Sequence, residues 1–157
     1  MEKTRDRASG SRQVVVFGLG EERYATDVTR VQEIIRWTEP RSVSSSLPAV
    51  RGVINLRGKI IPVCDLQTCL GAATSAPDED SKIVVVETDA GVCGLIVDEV
   101  HEVRTLDEVE LDEVPEHASQ AGFVDGIAKA GDQLIVLLDP DRLFGGALDT
   151  AGLALAA

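Results

Sequence analysis

The side chains best suited to catalysis or metal binding are two histidines and three cysteines, and their spacing suits neither role. His101 lies in an acidic, strand-like stretch and His117 lies in a loop, and no nucleophile motif such as G-x-S-x-G accompanies either one. Cys64 and Cys69 form a C-x4-C pair, but no second pair of cysteines or histidines completes a zinc site. We therefore predict that these two thiols and Cys93 fill small apolar spaces, with no metal bound.

Glycines and carboxylates give no better candidate for an enzyme. The segment from Gly52 to Lys59 resembles a phosphate-binding loop, but its spacing is one residue too long and Ile60 replaces the required hydroxyl. Between Glu87 and Glu116 there are 11 carboxylates, without the EF-hand pattern that would hold calcium. We interpret this run as a solvated strand face. The sequence predicts a protein that is not an enzyme and has no cofactor.

Charge restricts the classes of partner. The chain has 15 basic and 27 acidic residues, a net charge of −12, which argues against general binding to nucleic acid or to an anionic membrane. The segment 1–63 has a net charge of +4 and the segment 64–157 has −16. This asymmetry favours docking of partners in a set orientation; alternatively, the surface acid only aids solubility.

The composition also bears on location. No apolar run approaches the roughly 20 residues of a membrane helix, and the polar segment Met1–Gln13 lacks the apolar core of a secretory signal. We expect a cytoplasmic protein with reduced thiols and no direct membrane insertion. Aromatic residues make up only 3%, which argues against stacking on single-stranded nucleic acid.

An internal repeat organises the elements that must position any site. The β-branched run Val14–Phe17 recurs as Ile83–Val86 at an offset of 69 residues, and later Gly126 mirrors Gly52. Each half would be one unit of about five short strands. Chance similarity between two valine-rich segments is the alternative, because strand patterns look alike.

These patterns predict an all-β fold of two small barrels with short helices. We expect a disordered tail over residues 1–12, barrel subdomains at about 13–70 and 83–144, and a further tail over 145–157. Because a half of roughly 65–70 residues buries little surface alone, the two should share an interface or interleave.

One hairpin turn presents a basic side chain. Asn55-Leu56-Arg57-Gly58 lies between apolar strands, and Gly58 supplies the positive φ that a tight turn needs. The planar guanidinium of Arg57 could bind a carboxylate or backbone carbonyls on a partner in a bidentate manner. Alternatively, Arg57 packs on its own barrel and bonds a nearby aspartate. Trp37 also has two interpretations, as a partner anchor or as a core residue.

The segment Arg51–Leu66 resembles the G-V-I-N-L-R-G-x-I-x-P-V-x-D-L motif of the CheW family, the coupling proteins of bacterial chemotaxis arrays. Upstream, Val31–Ile34 matches the family's V-Q-E-I, and downstream Gly94–Val100 resembles its G-x-x-V-D-x-V. The resemblance covers about Gln13–Phe144. It implies the family's fold, two SH3-like five-stranded barrels packed side by side.

The resemblance implies a scaffold, an adaptor in chemotaxis signal transduction that acts through protein–protein interaction. It would couple the cytoplasmic tip of methyl-accepting chemoreceptors to the regulatory domain of the histidine kinase CheA, in the cytoplasm at membrane receptor arrays. The same domain in another chemosensory system, controlling pili or array localisation, is the alternative.

The resemblance also assigns residues to the receptor. It implies a receptor-binding groove between the barrels, with the kinase contacting turns and strand edges of both barrels. The groove positions are Val31, Glu33, Gly52, Asn55, Arg57, Gly94, Val97 and Val100.

Overall fold

Almost every regular element of this chain is a β-strand. The computed structural model describes residues 11–45, 50–70, 76–107, 111–112, 123–145 and 153–154. The strands are β1 (Ser11–Leu19), β2 (Glu22–Asp27), β3 (Val31–Arg36), β4 (Ser44–Ser45), β5 (Val50–Leu56), β6 (Lys59–Asp65), β7 (Lys82–Thr88), β8 (Gly91–Val97), β9 (Glu99–Asp107), β10 (Leu111–Asp112), β11 (Val124–Ala130), β12 (Gln133–Leu138) and β13 (Leu153–Ala154). The helices are α1 (Leu66–Cys69) and α2 (Pro140–Gly145), with a 3-10 turn at Val28–Arg30. The predicted all-β class with short helices is confirmed. Most of both predicted tails lies outside the described residues, but Ser11 and Arg12, expected in the N-terminal tail, belong to β1 because they pair with β9.

The strands form two large sheets. The first sheet has the order β10-β11-β12-β2-β1-β9, and the second sheet has the order β3-β7-β8-β6-β5. Apart from the two-residue β10, each sheet has five strands. In addition, β4 and β13 pair with each other in antiparallel fashion.

The two sheets do not follow the expected division at 13–70 and 83–144. The hairpin β1–β2 lies in the first sheet with β9, β11 and β12, whereas β7–β8 lies in the second with β3, β5 and β6. Each half of the chain therefore gives its first hairpin to the sheet built by the other half. The physical reason is that a hairpin's alternating pattern sets its own pairing but leaves open which sheet it extends, here through the parallel pairs β2–β12 and β6–β8.

The internal repeat is real in three dimensions. The pairing of β3 with β7 skips Gln32, and the pairing of β9 with β1 skips His101, which lies 69 residues later. Likewise, a register shift precedes Gly52 in β5 and Gly126 in β11. β-Bulges at matching positions in both sheets exclude chance similarity of two strand-rich segments.

Burial on both faces explains the two apolar runs. Successive side chains of a strand point to opposite faces, and in β1 and β7 both faces are covered, which favours unbroken β-branched sequence. One face of each strand contributes to a cluster between the sheets, here called the shared core, which includes Val15, Phe17, Val84 and Val86. The other faces fill the sheet interiors, with Val14 and Val16 in the first sheet and Ile83 and Val85 in the second.

Two short links carry the described chain from one large sheet to the other. The first is the turn Val28–Arg30 between β2 and β3, and the second is Asp98 between β8 and β9. Since both links are short, β3 lies near β2 and β9 lies near β8. With β1 and β7 packed on each other in the shared core, β3 and β9 flank that core on opposite sides.

Candidate functional site

The β5–β6 turn is rigid and exposes an arginine. Its two central residues, Arg57 and Gly58, have φ angles of 51° and 89°, the combination of a type I′ hairpin turn. The side chain of Asn55 closes this turn, because its Oδ1 accepts a hydrogen bond from the Gly58 amide at 2.8 Å. Arg57 is 71% exposed, which confirms the predicted exposure at this turn.

An ion pair joins this turn to the opposite edge of the second sheet. The Nη2 of Arg57 donates to Oε1 of Glu33 at 2.7 Å, and its Nη1 donates to Oε2. Glu33 lies on β3 and Arg57 follows β5, the two edge strands of that sheet. The hydrogen bonds from Arg57 lower the pKa of Glu33, and Glu33 raises the pKa of Arg57. The guanidinium thus bonds within its own sheet, although to Glu33 rather than to an aspartate, while remaining largely exposed to solvent.

The equivalent turn of the first sheet lacks this arrangement. Between β11 and β12 the position of Arg57 is taken by Gly131, with a φ of 65°. Glu102, the counterpart of Glu33, bonds Arg104 on its own strand at 2.9 Å. Among the residues that the structure describes, Arg57 is the only non-glycine residue with a positive φ. This backbone conformation costs about 1 kcal/mol or more for a residue other than glycine. Backbone strain of this kind is concentrated at functional sites.

Three of the predicted groove residues are buried and act on their own chain. A Cβ on Gly52 would lie 2.2 Å from the Arg41 carbonyl oxygen, and one on Gly94 would lie 2.8 Å from Cγ2 of Ile83. Val97 is fully buried in the shared core. The glycines therefore allow tight backbone approach, as expected, but to neighbouring strands of this molecule. The place of all three in a receptor-binding groove stays a prediction.

The remaining predicted residues fall into two places. Val31 and Val100 are half-buried against the shared core, but they lie on β3 and β9, which flank that core on opposite sides. Only Glu33, Asn55 and Arg57 meet at the turn of the second sheet. The structure thus shows direct contacts for three of the eight predicted residues, and the groove as a whole stays a prediction.

Exposed apolar side chains add residues that sequence reasoning missed. Ile34, Ile60, Val103 and Leu134 are 41%, 53%, 59% and 57% exposed. Ile60 pairs with Asn55 across β5 and β6, so the two side chains share the outer face beside Arg57. We call Glu33, Asn55, Arg57 and Ile60 the hairpin patch. The signal was present in the doublet Ile60-Ile61, since neighbouring residues of a strand face opposite ways.

The other candidate residues have structural surroundings. Trp37 is half-buried and packs against the core of the second sheet, which supports its interpretation as a core residue. Burial raises the pKa of the Cys69 and Cys93 thiols to about 12, and raises that of Cys64 still further. Thiols of this kind are poor nucleophiles at neutral pH.

Neither a metal cluster nor a membrane span is found in the part of the chain that the structure describes. No group of three or more acidic, histidine or cysteine side chains there is placed to hold a metal ion. No helix among those residues is long and apolar enough to cross a membrane.

Comparison with known proteins gives a consistent set of relatives. Residues 13–147 match the family described as CheW-like domain. The chain is 29% identical over 138 residues to the chemotaxis protein CheW of Rhizobium meliloti, covering 87% of this chain and 89% of that protein. It superposes on the crystal structure of a scaffolding protein, TtCheW of Thermoanaerobacter tengcongensis, with a TM-score of 0.78 and 38% identity, covering 85% and 87% of the two chains. It is also 35% identical over 88 residues to protein PilI of Pseudomonas aeruginosa, covering 54% of this chain and 47% of PilI.

Proposed function

Since this chain belongs to the CheW family of chemotaxis scaffold proteins, we propose that it couples methyl-accepting chemoreceptors to the histidine kinase CheA through the hairpin patch. In this proposal the cytoplasmic tip of a receptor contacts the patch, while the regulatory domain of CheA binds elsewhere on the molecule. The protein would act in the cytoplasm, at receptor arrays in the membrane.

A single observation carries the assignment of the receptor site, the exposed and strained conformation of Arg57. Its side chain is 71% exposed and its φ is 51°, where the duplicate turn uses glycine. A residue that only stabilised the turn would be replaced by glycine at less conformational cost. The arginine at this position therefore supports a role in recognition.

The patch offers complementary chemistry to a helical partner. The bidentate pair with Glu33 orients the guanidinium, and the unused N–H groups of the fork can donate to a carboxylate or to carbonyl oxygens. Ile60, 53% exposed, supplies apolar contact area on the adjacent outer face. A rigid charged group beside an apolar side chain is a common composition for binding hot spots.

The equivalent end of the first sheet is our candidate contact for CheA. Leu134 on β12 and Val103 on β9 are 57% and 59% exposed, and no arginine fork accompanies them at the turn. An apolar surface at the far sheet would let the kinase bind without displacing the receptor.

Binding measurements on one substitution test this assignment. For Arg57→Ala we expect receptor-tip affinity to fall roughly ten- to hundredfold, because a charge-assisted hydrogen bond is lost. Affinity for the CheA regulatory domain should change less than twofold. The matched control is Arg104→Ala, which removes the ion pair that Glu102, the counterpart of Glu33, makes on its own strand. Calorimetry with both partners measures the affinities, and unchanged receptor binding by Arg57→Ala would exclude the patch.

A second chemosensory role has one supporting observation. The partial similarity to PilI favours the alternative in which the same scaffold serves a system that controls pili. Deletion of the coding sequence separates the two, because loss of swimming chemotaxis supports the first role and loss of pilus-dependent surface motility supports the second.

A further inference from the structure

Polar contacts pin both links between the sheets, but they do so differently. At the second link, the Asp98 amide donates to the Gly18 carbonyl at 2.9 Å, and its Oδ2 accepts from the Gly20 amide at 2.6 Å. These bonds tie the link to β1 and to the turn that follows it. At the first link, the corresponding role falls to one charged side chain, that of Arg30.

Arg30 and Asp141 bring three separate segments together. The Nη2 of Arg30 pairs with Oδ2 of Asp141, and its Nη1 donates to the Glu87 carbonyl at 3.2 Å. The other carboxylate oxygen of Asp141 accepts from the Asp89 amide at 2.7 Å. Asp141 lies in α2, which follows β12 of the first sheet, while Glu87 and Asp89 belong to β7 and its turn in the second. The pair therefore connects the link to both sheets.

This pair is more buried than an ordinary surface ion pair. The side chains of Arg30 and Asp141 are only 29% and 24% exposed, so loss of either partner leaves a half-buried charge without its counterion. Beside α2, a small apolar cleft remains between the sheets, lined in part by Phe17, Val86 and Pro140. Leu143 of α2 is buried in the shared core, and the ion pair adds a directional contact to that apolar packing.

From these contacts we infer that Arg30 and Asp141 form a latch that fixes the relative orientation of the two sheets. With the latch closed, the sheets move as one body. With it open, the shared core still joins the sheets, but their relative orientation shifts about the links at Val28–Arg30 and Asp98. Val31 and Glu33 follow directly after Arg30, so the latch also positions β3, which makes Arg30 a positioning residue rather than a contact residue.

Residual dipolar couplings test the latch directly, because they report the orientation of each sheet separately. We expect one alignment tensor to fit both sheets of the unmodified protein, and two different tensors to be needed for Asp141→Asn and for Arg30→Gln. Amide exchange at Asp89 should accelerate about tenfold in both variants, as local opening becomes easier. The matched control is Arg12→Gln, since Arg12 pairs with Asp27 at 2.9 Å and is 27% exposed, but joins strands of the first sheet alone.

The remaining variants make the result decisive. Arg30→Lys keeps the positive charge, so we expect one tensor to fit both sheets, in contrast to Arg30→Gln. If the arginine acted only through its shape, Arg30→Lys would need two tensors as well. Asp141→Asn keeps the size of the side chain, so it carries the test even where Arg30→Gln fails to fold. A single tensor for Asp141→Asn, with the exchange rate of the control at Asp89, would overturn the latch.

Discussion

The β5–β6 turn and the β11–β12 turn occupy equivalent positions in the two sheets, yet only one carries an arginine in a left-handed conformation. The first presents Arg57 at a φ of 51°, bonded across the sheet to Glu33. The second has Gly131 at a φ of 65° and no such bond. The two turns differ at their second central residue, since Gly58 has a positive φ and Asp132 does not, but both place their first central residue in the left-handed region, where glycine is the less strained choice. The second sheet has Arg57 at this position instead of glycine. In our proposal, this residue serves recognition of the receptor, a requirement beyond the fold.

The base of the β5–β6 hairpin should respond far more strongly than its tip. In Gly52→Ala the new Cβ would lie 2.2 Å from the Arg41 carbonyl oxygen, at a φ of 154°. We expect a loss of about 2–4 kcal/mol in unfolding free energy, within the range of severe backbone substitutions. Urea denaturation measures it, and a loss below about 0.5 kcal/mol would mean that the Arg41 segment moves away freely.

At the tip of the first sheet, the glycine should be structural. Gly131→Ala places a side chain at a φ of 65°, with open space around it. Strain alone then predicts a loss of about 1 kcal/mol in unfolding free energy. Binding of both partners should stay unchanged. A clear loss of receptor affinity in this variant would break the functional distinction between the two tips.

Arg57→Gly gives the turn of the second sheet the residue type that the first sheet has at Gly131. Arg57→Gly relieves the left-handed arginine but removes an exposed ion pair, so we expect the thermal midpoint to change little. Receptor affinity should fall as far as in Arg57→Ala. Thermal unfolding and calorimetry on one preparation separate the two effects, and an unfolded Arg57→Gly would identify the arginine as structural.

The smallest effect concerns pH. Arg57 lowers the pKa of Glu33 below its ordinary value of 4.5, so the ionised pair stabilises the fold above that value, and the contribution is lost as pH falls through the lowered pKa. Stability curves of the unmodified protein and of Arg57→Gly should therefore converge in acid and separate slightly towards neutral pH. Curves that remain parallel down to pH 3 would show that the pair has no net effect on stability.

Local pattern predicted the strands and the turns well. Alternation and β-branched runs identified β1, β5, β6, β7 and β12, and the glycine spacing identified the hairpin that presents Arg57. The internal repeat was likewise visible from spacing, because a bulge or tight turn restricts residue type.

The assignment of strands to sheets was harder to predict from the sequence. Which sheet receives a hairpin depends on parallel contacts such as β6 with β8, and these have no short-range signature. The motif also could not show that Gly94 and Val97 lie buried, since burial depends on the strands that pack against them. The contrast between a basic and an acidic half persists in reduced form, since the strands of the second sheet carry four basic and three acidic residues and those of the first sheet carry four and seven.

The two halves of the chain exchange the hairpins β1–β2 and β7–β8. The two subunits of a domain-swapped homodimer exchange elements in the same way, but here both units belong to one polypeptide. Two copies of a five-stranded unit, each lending its leading hairpin to the other, would give the same strand orders if the segment between β6 and β7 were cut. It follows that the N-terminal half leaves the ribosome before its first hairpin has a sheet to join. Neither half reaches its final pairing until β12 has been synthesised, so the folding reaction is governed by contacts between residues far apart in the chain and should be slow for a protein of this size.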